Sequence, residues 1–288
     1  MAIQKLTLLT LFVKALKRLF ADEAIPLAGN IAFRTIFSLF PFLIFLTSVA
    51  GFFGSEALAG KIVNFLLGVA PADLVKPFAA EIMSILTVPR TGLLSIAALL
   101  TIWSAMGGVD SVRVGLNRAY DIKETRSIWK LYALNVIFVI GATGMLLSVS
   151  VLLVFVPAVT QVLDAYAPEA LISLTPYEVY RYPLAILVLL FGLLVAHRFL
   201  PSQVLRRRDV LPGIVMTVAV WIILTAGFSW YLRNFNSFAS TYASLSGLFA
   251  SMFFVYLGAV VLIFGGEVNR ILILARTKAG IPEKKSRT

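Results

Sequence analysis

The residues best suited to chemistry in this chain are polar side chains set inside apolar, helix-forming segments. Asn30, Arg34 and Ser38 follow one another at intervals of four within GNIAFRTIFSLFPFLIFL, residues 29–46. Side chains four residues apart share one face of an α-helix, so these three predict a polar stripe on the first apolar helix. Such stripes face a bundle interior or a water-filled groove. Pro41 predicts a kink just beyond the stripe, because it lacks the N–H that a continuing helix uses.

Two other helix ends bring charges to the level of Arg34. An arginine inside the bilayer costs at least about 2.5 to 3.5 kcal/mol on insertion scales, so pairing of Arg34 with Asp110 or Glu267 is one expectation. The alternative is that Arg34 extends to lipid headgroups, since it lies near the start of its helix. Asn117, in GLNRAYD, either lines the rim of a cavity or caps the second helix. The predicted substrate path or charge network therefore comprises Asn30, Arg34, Ser38, Pro41, Asp110, Arg113, Asn117 and Glu267.

The chemistry of most enzyme classes is missing from the sequence. There is no cysteine and one histidine, His197, so spaced His, Cys and carboxylate ligands for a metal are not present. The sequence contains no G-x-S-x-G, GxxxxGK[ST] or GxGxxG motif. Its 14 Asp and Glu residues are scattered without an evident acid–base pair. We therefore expect no catalytic activity, no cofactor and no metal.

The elements that must position these residues are membrane-spanning helices. Hydrophobic residues make up 60% of the 288 and charged residues 14%, against about 25% charged residues in soluble domains. Apolar windows suited to crossing a bilayer occur at 35–55, 91–109, 131–157, 182–197, 210–232 and 242–266. The fourth window is short at 16 residues, although Arg198 can extend it by snorkelling. The prediction is an all-α, polytopic transmembrane helical bundle with six spans.

Charge placement predicts the orientation of the chain. Of the 25 Lys and Arg residues, 20 fall in alternate segments between spans and 5 in the remaining ones. The positive-inside rule places the richer segments, and with them both termini, in the cytoplasm. Orientation and contact with anionic lipid headgroups of the membrane then explain most of the net charge of +11. A nucleic-acid partner is not expected.

Segments outside the spans are amphipathic. Near the N-terminus one helical face carries Leu9, Val13, Leu16 and Phe20, and another carries Thr7, Thr10, Lys14 and Lys17. This pattern predicts a helix on the cytoplasmic surface of the membrane. The first external loop, residues 56–90, predicts one or two further amphipathic helices. The expected organisation is a cytoplasmic amphipathic helix (1–25), a six-helix transmembrane domain (26–275) and a basic cytoplasmic tail (276–288).

Small residues four apart inside the spans predict close approach of helix backbones. Three such pairs occur: Gly144 with Ser148, Ser104 with Gly108, and Gly247 with Ser251. Packing within the bundle explains all three, so they define no site.

Four stretches of this sequence resemble the YihY/BrkB family of bacterial inner-membrane proteins, long mislabelled as ribonuclease BN. They are NIAFRTIFSLFPFLIF, IWSAMGGVDSVRVGLNRAYDIKETRSIWK, the LPG at 211–213, and YASLSGLFASMFFVYLGAVVLIFGGEVNR. The resemblance implies six spans and cytoplasmic termini, and it associates the chain with handling of envelope lipids. The family pattern has a Tyr-Tyr pair where this chain has Phe33 and Arg34. The resemblance supplies no catalytic residue.

Two functions of different classes follow from these observations. The first is a transport-type inner-membrane protein that moves or presents an anionic, lipid-like substrate for the cell envelope. The second is a non-transporting scaffold, whose polar stripe binds a partner helix in a homo-oligomer or an envelope partner protein. Ribonuclease activity ranks last, because no residue pattern supports it.

Overall fold

The computed structural model describes residues 8–53, 60, 91–156, 175–234 and 243–278, and throughout these residues the regular structure is helical. The helices are α1 (Leu8–Ala21), α2 (Ala24–Phe53), α3 (Thr91–Tyr120), α4 (Ile128–Ser150), α5 (Thr175–Phe199), α6 (Arg207–Asn234) and α7 (Ala243–Lys278). α4 continues into a π-helical stretch, Val151–Phe155. The all-α prediction is confirmed. The predicted helices of residues 56–90 and the tail beyond residue 278 lie outside the described residues, apart from Gly60.

Among the described residues, six helices are long and apolar enough to cross a membrane. The spans are Ala24–Phe42, Ser95–Tyr120, Ile128–Leu153, Tyr180–Phe199, Arg207–Tyr231 and Leu248–Thr277. The fourth is 20 residues long rather than the predicted 16, because α5 extends beyond the apolar window at both ends. The prediction of six spans is confirmed, and the orientation of the termini stays a prediction.

Well-defined turns follow α1 and α3. Glu23 has a positive φ of 57° in the turn between α1 and α2, which leaves only two residues between these helices. α3 ends where Asp121 adopts a φ of 56°, and the N–H of Ile122 donates to the carbonyl of Asn117 at 2.8 Å. This six-residue closure is a Schellman motif, which satisfies carbonyls that the helix end would leave unpaired.

Prolines are accommodated inside three helices. Pro41 is buried, and α2 runs through it as far as Phe53. Pro183 and Pro212 lie within α5 and α6. A proline interrupts one hydrogen bond of the ladder without ending a helix that packing or lipid otherwise stabilises. The predicted kink at Pro41 stays a prediction.

The chain divides into two compact units. The first comprises Met1–Ala32 and Val109–Thr288, and the second comprises Phe33–Gly108. In the first unit, Leu11, Ala15 and Leu19 of α1, here called the inner arc, pack in one core with residues of α7 such as Phe264 and Val268. A second core of the same unit gathers Tyr120, Leu193, Leu200, Val210 and Ile214 from α3, α5, α6 and the loop after α5.

α6 and α7 approach closely in the first unit. A Cβ at Gly265 would lie 2.9 Å from the carbonyl oxygen of Gly213, and it would overlap the hydroxyl of Thr217. Glycine is therefore required at this crossing. By contrast, a Cβ at Gly144 on α4 would meet no atom within 4 Å, and Ser148 is exposed. The expectation that Gly144 and Ser148 bring helix backbones together within the described chain is wrong, because no neighbouring helix lies against that face.

Serine and threonine hydroxyls in the second unit bond to their own helix. Ser48 donates to the carbonyl of Ile44 at 2.7 Å, Thr101 to Ala97 at 2.6 Å and Ser104 to Leu100 at 2.7 Å. Such back-bonding satisfies a hydroxyl where water is absent.

Candidate functional site

Arg34 lies on the surface of α2 within the second unit. Its guanidinium is exposed, and Nη1 donates to the carbonyl oxygen of Gly107 on α3 at 3.5 Å. A Cβ at Gly107 would stand 2.8 Å from that nitrogen, so the absence of a side chain lets the guanidinium lie along the α3 backbone. This contact holds the guanidinium of Arg34 against the α3 backbone, and the side chain stays exposed.

Exposed aromatic rings and a hydroxyl lie close to Arg34 in the sequence of α2. Phe33, Phe37 and Phe40 are each at least half exposed. Phe33 and Phe37 stack with their centroids 5.9 Å apart. Ser38, half-buried one turn beyond Arg34, donates to the carbonyl of Thr35 at 2.7 Å. The surface is therefore apolar with a single cationic group in it, which suits an amphipathic anion.

Asn30 is exposed on the part of α2 that belongs to the first unit. Its side-chain Nδ2 donates to the hydroxyl of Ser111 on α3 at 3.2 Å. The three members of the predicted stripe thus share one continuous helix, with Asn30 and Arg34 exposed and Ser38 half-buried.

The charges at the end of α3 form a hydrogen-bonded network. Arg113 is buried and donates through Nη2 to Asp110 Oδ1 at 2.8 Å and through Nη1 to Glu124 Oε2. Asn117, also buried, donates to Glu124 Oε2 at 3.1 Å and accepts from the backbone N–H of Ser202 at 2.9 Å. The structure thus brings together the predicted Asp110, Arg113 and Asn117. Their polar atoms bind one another and the loops after α3 and α5.

Glu124, which the sequence reading did not single out, is the hub of this network. Arg126 donates to Oε1 at 2.8 Å and to Oε2 at 2.9 Å, and its Nη2 also reaches the carbonyl of Leu200 at 2.6 Å. The hydrogen bonds from Arg126, which outweigh the opposing effect of burial, and the further bond from Arg113 hold the pKa of the Glu124 carboxyl well below its usual range. The carboxylate therefore stays charged and joins the loop after α3 to the loop after α5.

Glu267 is completely buried on α7 and pairs with α1. Arg18 Nε donates to Glu267 Oε2 at 2.9 Å, while Arg18 Nη2 donates to Asp22 at 3.2 Å. Burial works against the charge of Arg18, but the hydrogen bond and charge of Glu267 raise the pKa of this guanidinium overall. The carboxylates considered for Arg34 thus bind other arginines: Glu267 binds Arg18, and Asp110 binds Arg113.

A buried polar group that sequence reasoning missed joins α3, α5, α6 and α7. Asn269 Nδ2 donates to the hydroxyl of Tyr120 at 2.9 Å and to the carbonyl of Val210 at 2.9 Å. Its Oδ1 accepts the backbone N–H of Gly213 at 2.6 Å. The Tyr120 hydroxyl lies 2.8 Å from His197 Nδ1. The only signal in the sequence is that LPG and GGEVNR, which hold Gly213 and Asn269, both belong to the segments that carry the family resemblance.

No group of three or more His, Asp or Glu side chains among the described residues is placed to hold a metal ion. The predicted residues divide between the two units: Arg34, Ser38 and Pro41 belong to the second, and Asn30, Asp110, Arg113, Asn117 and Glu267 to the first.

Comparison with known families agrees with the six apolar helices. Residues 15–288 match the sequence model of the family described as virulence factor BrkB. The chain belongs to this family. The family resemblance seen in the sequence is thereby confirmed, and the chain is a multi-pass membrane protein.

Relatives of this BrkB-family chain match most of its length. A Bacillus subtilis protein named ribonuclease-like, YfkH, is 28% identical over 263 residues, covering 89% of this chain and 94% of that protein. UPF0761 membrane proteins of Pseudoalteromonas atlantica and Alteromonas mediterranea are 22% and 24% identical, covering 85% and 89% of this chain and 80% and 85% of their own lengths. No solved structure matches the chain.

Proposed function

We propose that this chain is a transport-type protein of the bacterial inner membrane, with cytoplasmic termini, that moves or presents an anionic, lipid-like substrate for the cell envelope. The observation that carries the proposal is the exposed guanidinium of Arg34 on an apolar spanning helix. A guanidinium matches phosphate and carboxylate oxygens in two parallel hydrogen bonds, which a lysine does not. An anionic headgroup is therefore the ligand that best suits this group.

The position of Arg34 along α2 strengthens the argument. It follows Ala24, the first residue of the helix, by ten residues, which is about 15 Å of helix length. At that distance from the helix start the charge costs free energy in hydrocarbon unless an anion or water accompanies it. The neighbouring exposed Phe33 and Phe37 offer apolar contact to an acyl chain, so charge and apolar surface match the two parts of an amphipathic lipid.

The remaining charged residues of the predicted set are engaged within the first unit. Asp110, Arg113 and Asn117 are held by the Glu124 network, and Glu267 is held by Arg18. We assign these residues to holding the helices and loops of the first unit, and we assign the substrate contact to Arg34 with Ser38 beside it on α2.

Lipid transfer between leaflets tests the proposal. The purified full chain is reconstituted in liposomes, and the transfer of fluorescent phosphatidylglycerol is followed by dithionite quenching. We expect Arg34→Gln to slow transfer roughly tenfold, the effect of losing a charge-assisted hydrogen bond of about 1.5 kcal/mol. Arg34→Lys should retain an intermediate rate, and Arg207→Gln, which removes an exposed arginine at the start of α6, should transfer lipid normally. No transfer above that of empty vesicles, or equal rates for wild type and Arg34→Gln, would contradict the proposal.

A non-transporting scaffold is the second candidate, and α4 favours it. Along α4 the buried residue is Asn135, whereas large side chains such as Ile137, Ile140 and Leu146 are more than 60% exposed. This surface suits a second copy or an envelope partner helix as well as lipid. A stable homo-oligomer in lipid nanodiscs together with no lipid transfer would favour the scaffold.

We do not extend the ribonuclease-like name of YfkH to this chain. If the purified protein cleaves RNA and loses this activity when one carboxylate is substituted, a ribonuclease function would rank above transport and scaffold.

A further inference from the structure

α1 presents three distinct surfaces, one more than its sequence pattern predicted. Residues on an α-helix follow one another at about 100°. Viewed down the helix axis, the inner arc therefore covers about 80° of the circumference of α1, and it packs against α7. Next to it comes an exposed apolar arc of about 100°, formed by Phe12, Val13, Leu16 and Phe20 and here called the outer arc. Lys14 and Lys17, with Thr10, occupy the side between the outer arc and Arg18.

The two apolar arcs differ in their exposure. The residues of the inner arc are at most 7% exposed, whereas those of the outer arc are 40% to 65% exposed. At the border between the arcs, the ring of Phe12 meets that of Phe264 edge-on at 5.4 Å. A soluble helix would rarely leave four large apolar side chains side by side in water. The outer arc is therefore a docking surface that the described part of the chain leaves open.

Connectivity and charge identify what covers the outer arc. α1 ends at Ala21 and α2, which contains the first membrane span, begins at Ala24. So short a link keeps α1 at the level where that span enters the bilayer. The charges bordering the outer arc are the ammonium groups of Lys14 and Lys17, while Asp22 at the end of the helix is paired with Arg18. Apolar side chains bordered by lysines match acyl chains below a layer of anionic headgroups.

We propose that the outer arc of α1, with Lys14 and Lys17, is a binding surface for anionic phospholipids in the membrane leaflet at which the first span begins. The apolar rings and methyl groups enter the acyl boundary, and the two ammonium groups lie among the phosphates. The Arg18–Glu267 pair and the inner arc fix the rotation of α1, so that the outer arc and no other face is turned to the lipid. This inference concerns α1 and does not depend on transport.

The natural absence of cysteine makes the proposal testable with single spin labels on the full chain. Labels attached to Val13→Cys, Leu16→Cys and Phe20→Cys report the outer arc, and labels on Thr10→Cys and Ala21→Cys are matched controls on the lysine side of the same helix. All five positions are exposed, so none removes a core side chain. The protein is reconstituted in vesicles containing phosphatidylglycerol, and collision rates with oxygen and with a water-soluble nickel complex are measured.

We expect the ratio of oxygen to nickel collisions to be higher at the three outer-arc positions than at the two controls, since oxygen concentrates in acyl chains. The difference in collision ratio between outer-arc and control positions should shrink in zwitterionic vesicles. It should also shrink in phosphatidylglycerol vesicles when Lys14→Gln and Lys17→Gln are combined. Equal ratios on both sides of the helix would overturn the proposal. So would outer-arc labels shielded from both reagents, which indicates a protein partner, or dipolar broadening between labels, which indicates a second copy.

Discussion

Changing Gly213 to alanine would place a Cβ 2.6 Å from the side-chain nitrogen of Asn269 and into overlap with the carbonyl oxygen of Gly265. Neither atom can move freely. The carbonyl is part of the α7 backbone, and Asn269 is held by Tyr120 and Val210. α6 and α7 must therefore separate, and the hydrogen bond from the Gly213 N–H to Asn269 Oδ1 lengthens with them.

The size of this effect follows from three contributions. Overpacking costs about 1–3 kcal/mol, and the weakened hydrogen bond adds about 1 kcal/mol. Alanine regains about 0.5–1 kcal/mol over glycine inside a helix. The net loss is roughly 2 kcal/mol, which corresponds to a fall in melting temperature on the order of 5 °C for a chain of this size.

Gly227→Ala is the matched control because it makes the same change on the same helix. A Cβ at Gly227 meets no atom within 4 Å, so this variant should be as stable as wild type or slightly more stable. Both variants are compared by thermal unfolding in detergent, followed by size-exclusion chromatography. A Gly213→Ala protein that melts together with Gly227→Ala would refute the close approach of α6 and α7.

Two further predictions concern the charge networks. Arg18→Met should lower the melting temperature, by an amount corresponding to about 3 kcal/mol or less, because it leaves Glu267 buried without its cation while Arg18 itself is partly exposed. The double variant Arg18→Met, Glu267→Met should recover much of that loss, and losses that simply add would show that the pair is not coupled. Folding depresses the pKa of Glu124, so its carboxylate stabilises the fold at pH values above 4.5, the usual pKa of this group. The contribution is lost as the pH falls below 4.5. Glu124→Gln should be less stable than wild type at pH 7 and lose less stability between pH 5 and pH 3 in urea unfolding; parallel pH profiles would contradict this role.

The elements of the fold could be predicted because each depends on local sequence. Length and apolar composition specify a spanning helix without reference to the rest of the chain, and this is how all six were found. The cluster of Asp110, Arg113 and Asn117 was predictable for the same reason, since intervals of three and four residues place them on one side of α3.

Contacts between distant segments could not be predicted in this way. Arg18 and Glu267 are 249 positions apart, and Tyr120 and Asn269 are 149 apart, so no spacing rule connects them. The same limit explains the error at Gly144. A small residue allows close approach, but a second helix must lie opposite, as α7 does for Gly213.

Exposure separates the arginines of this chain by role. Arg113 is buried and carries hydrogen bonds to Asp110 and Glu124, and Arg18 holds the fully buried Glu267. Removing a partner from such pairs leaves a buried charge, so these arginines stabilise helix packing and cannot exchange their carboxylates for a passing ligand without that cost. Arg34 differs because its guanidinium is exposed on α2, where it donates to the backbone carbonyl of Gly107 at 3.5 Å. An exposed guanidinium can form a charge-assisted hydrogen bond with an arriving anion. Substitutions at Arg34 should therefore alter ligand handling with little loss of stability, whereas substitutions at Arg18 or Arg113 should do the reverse.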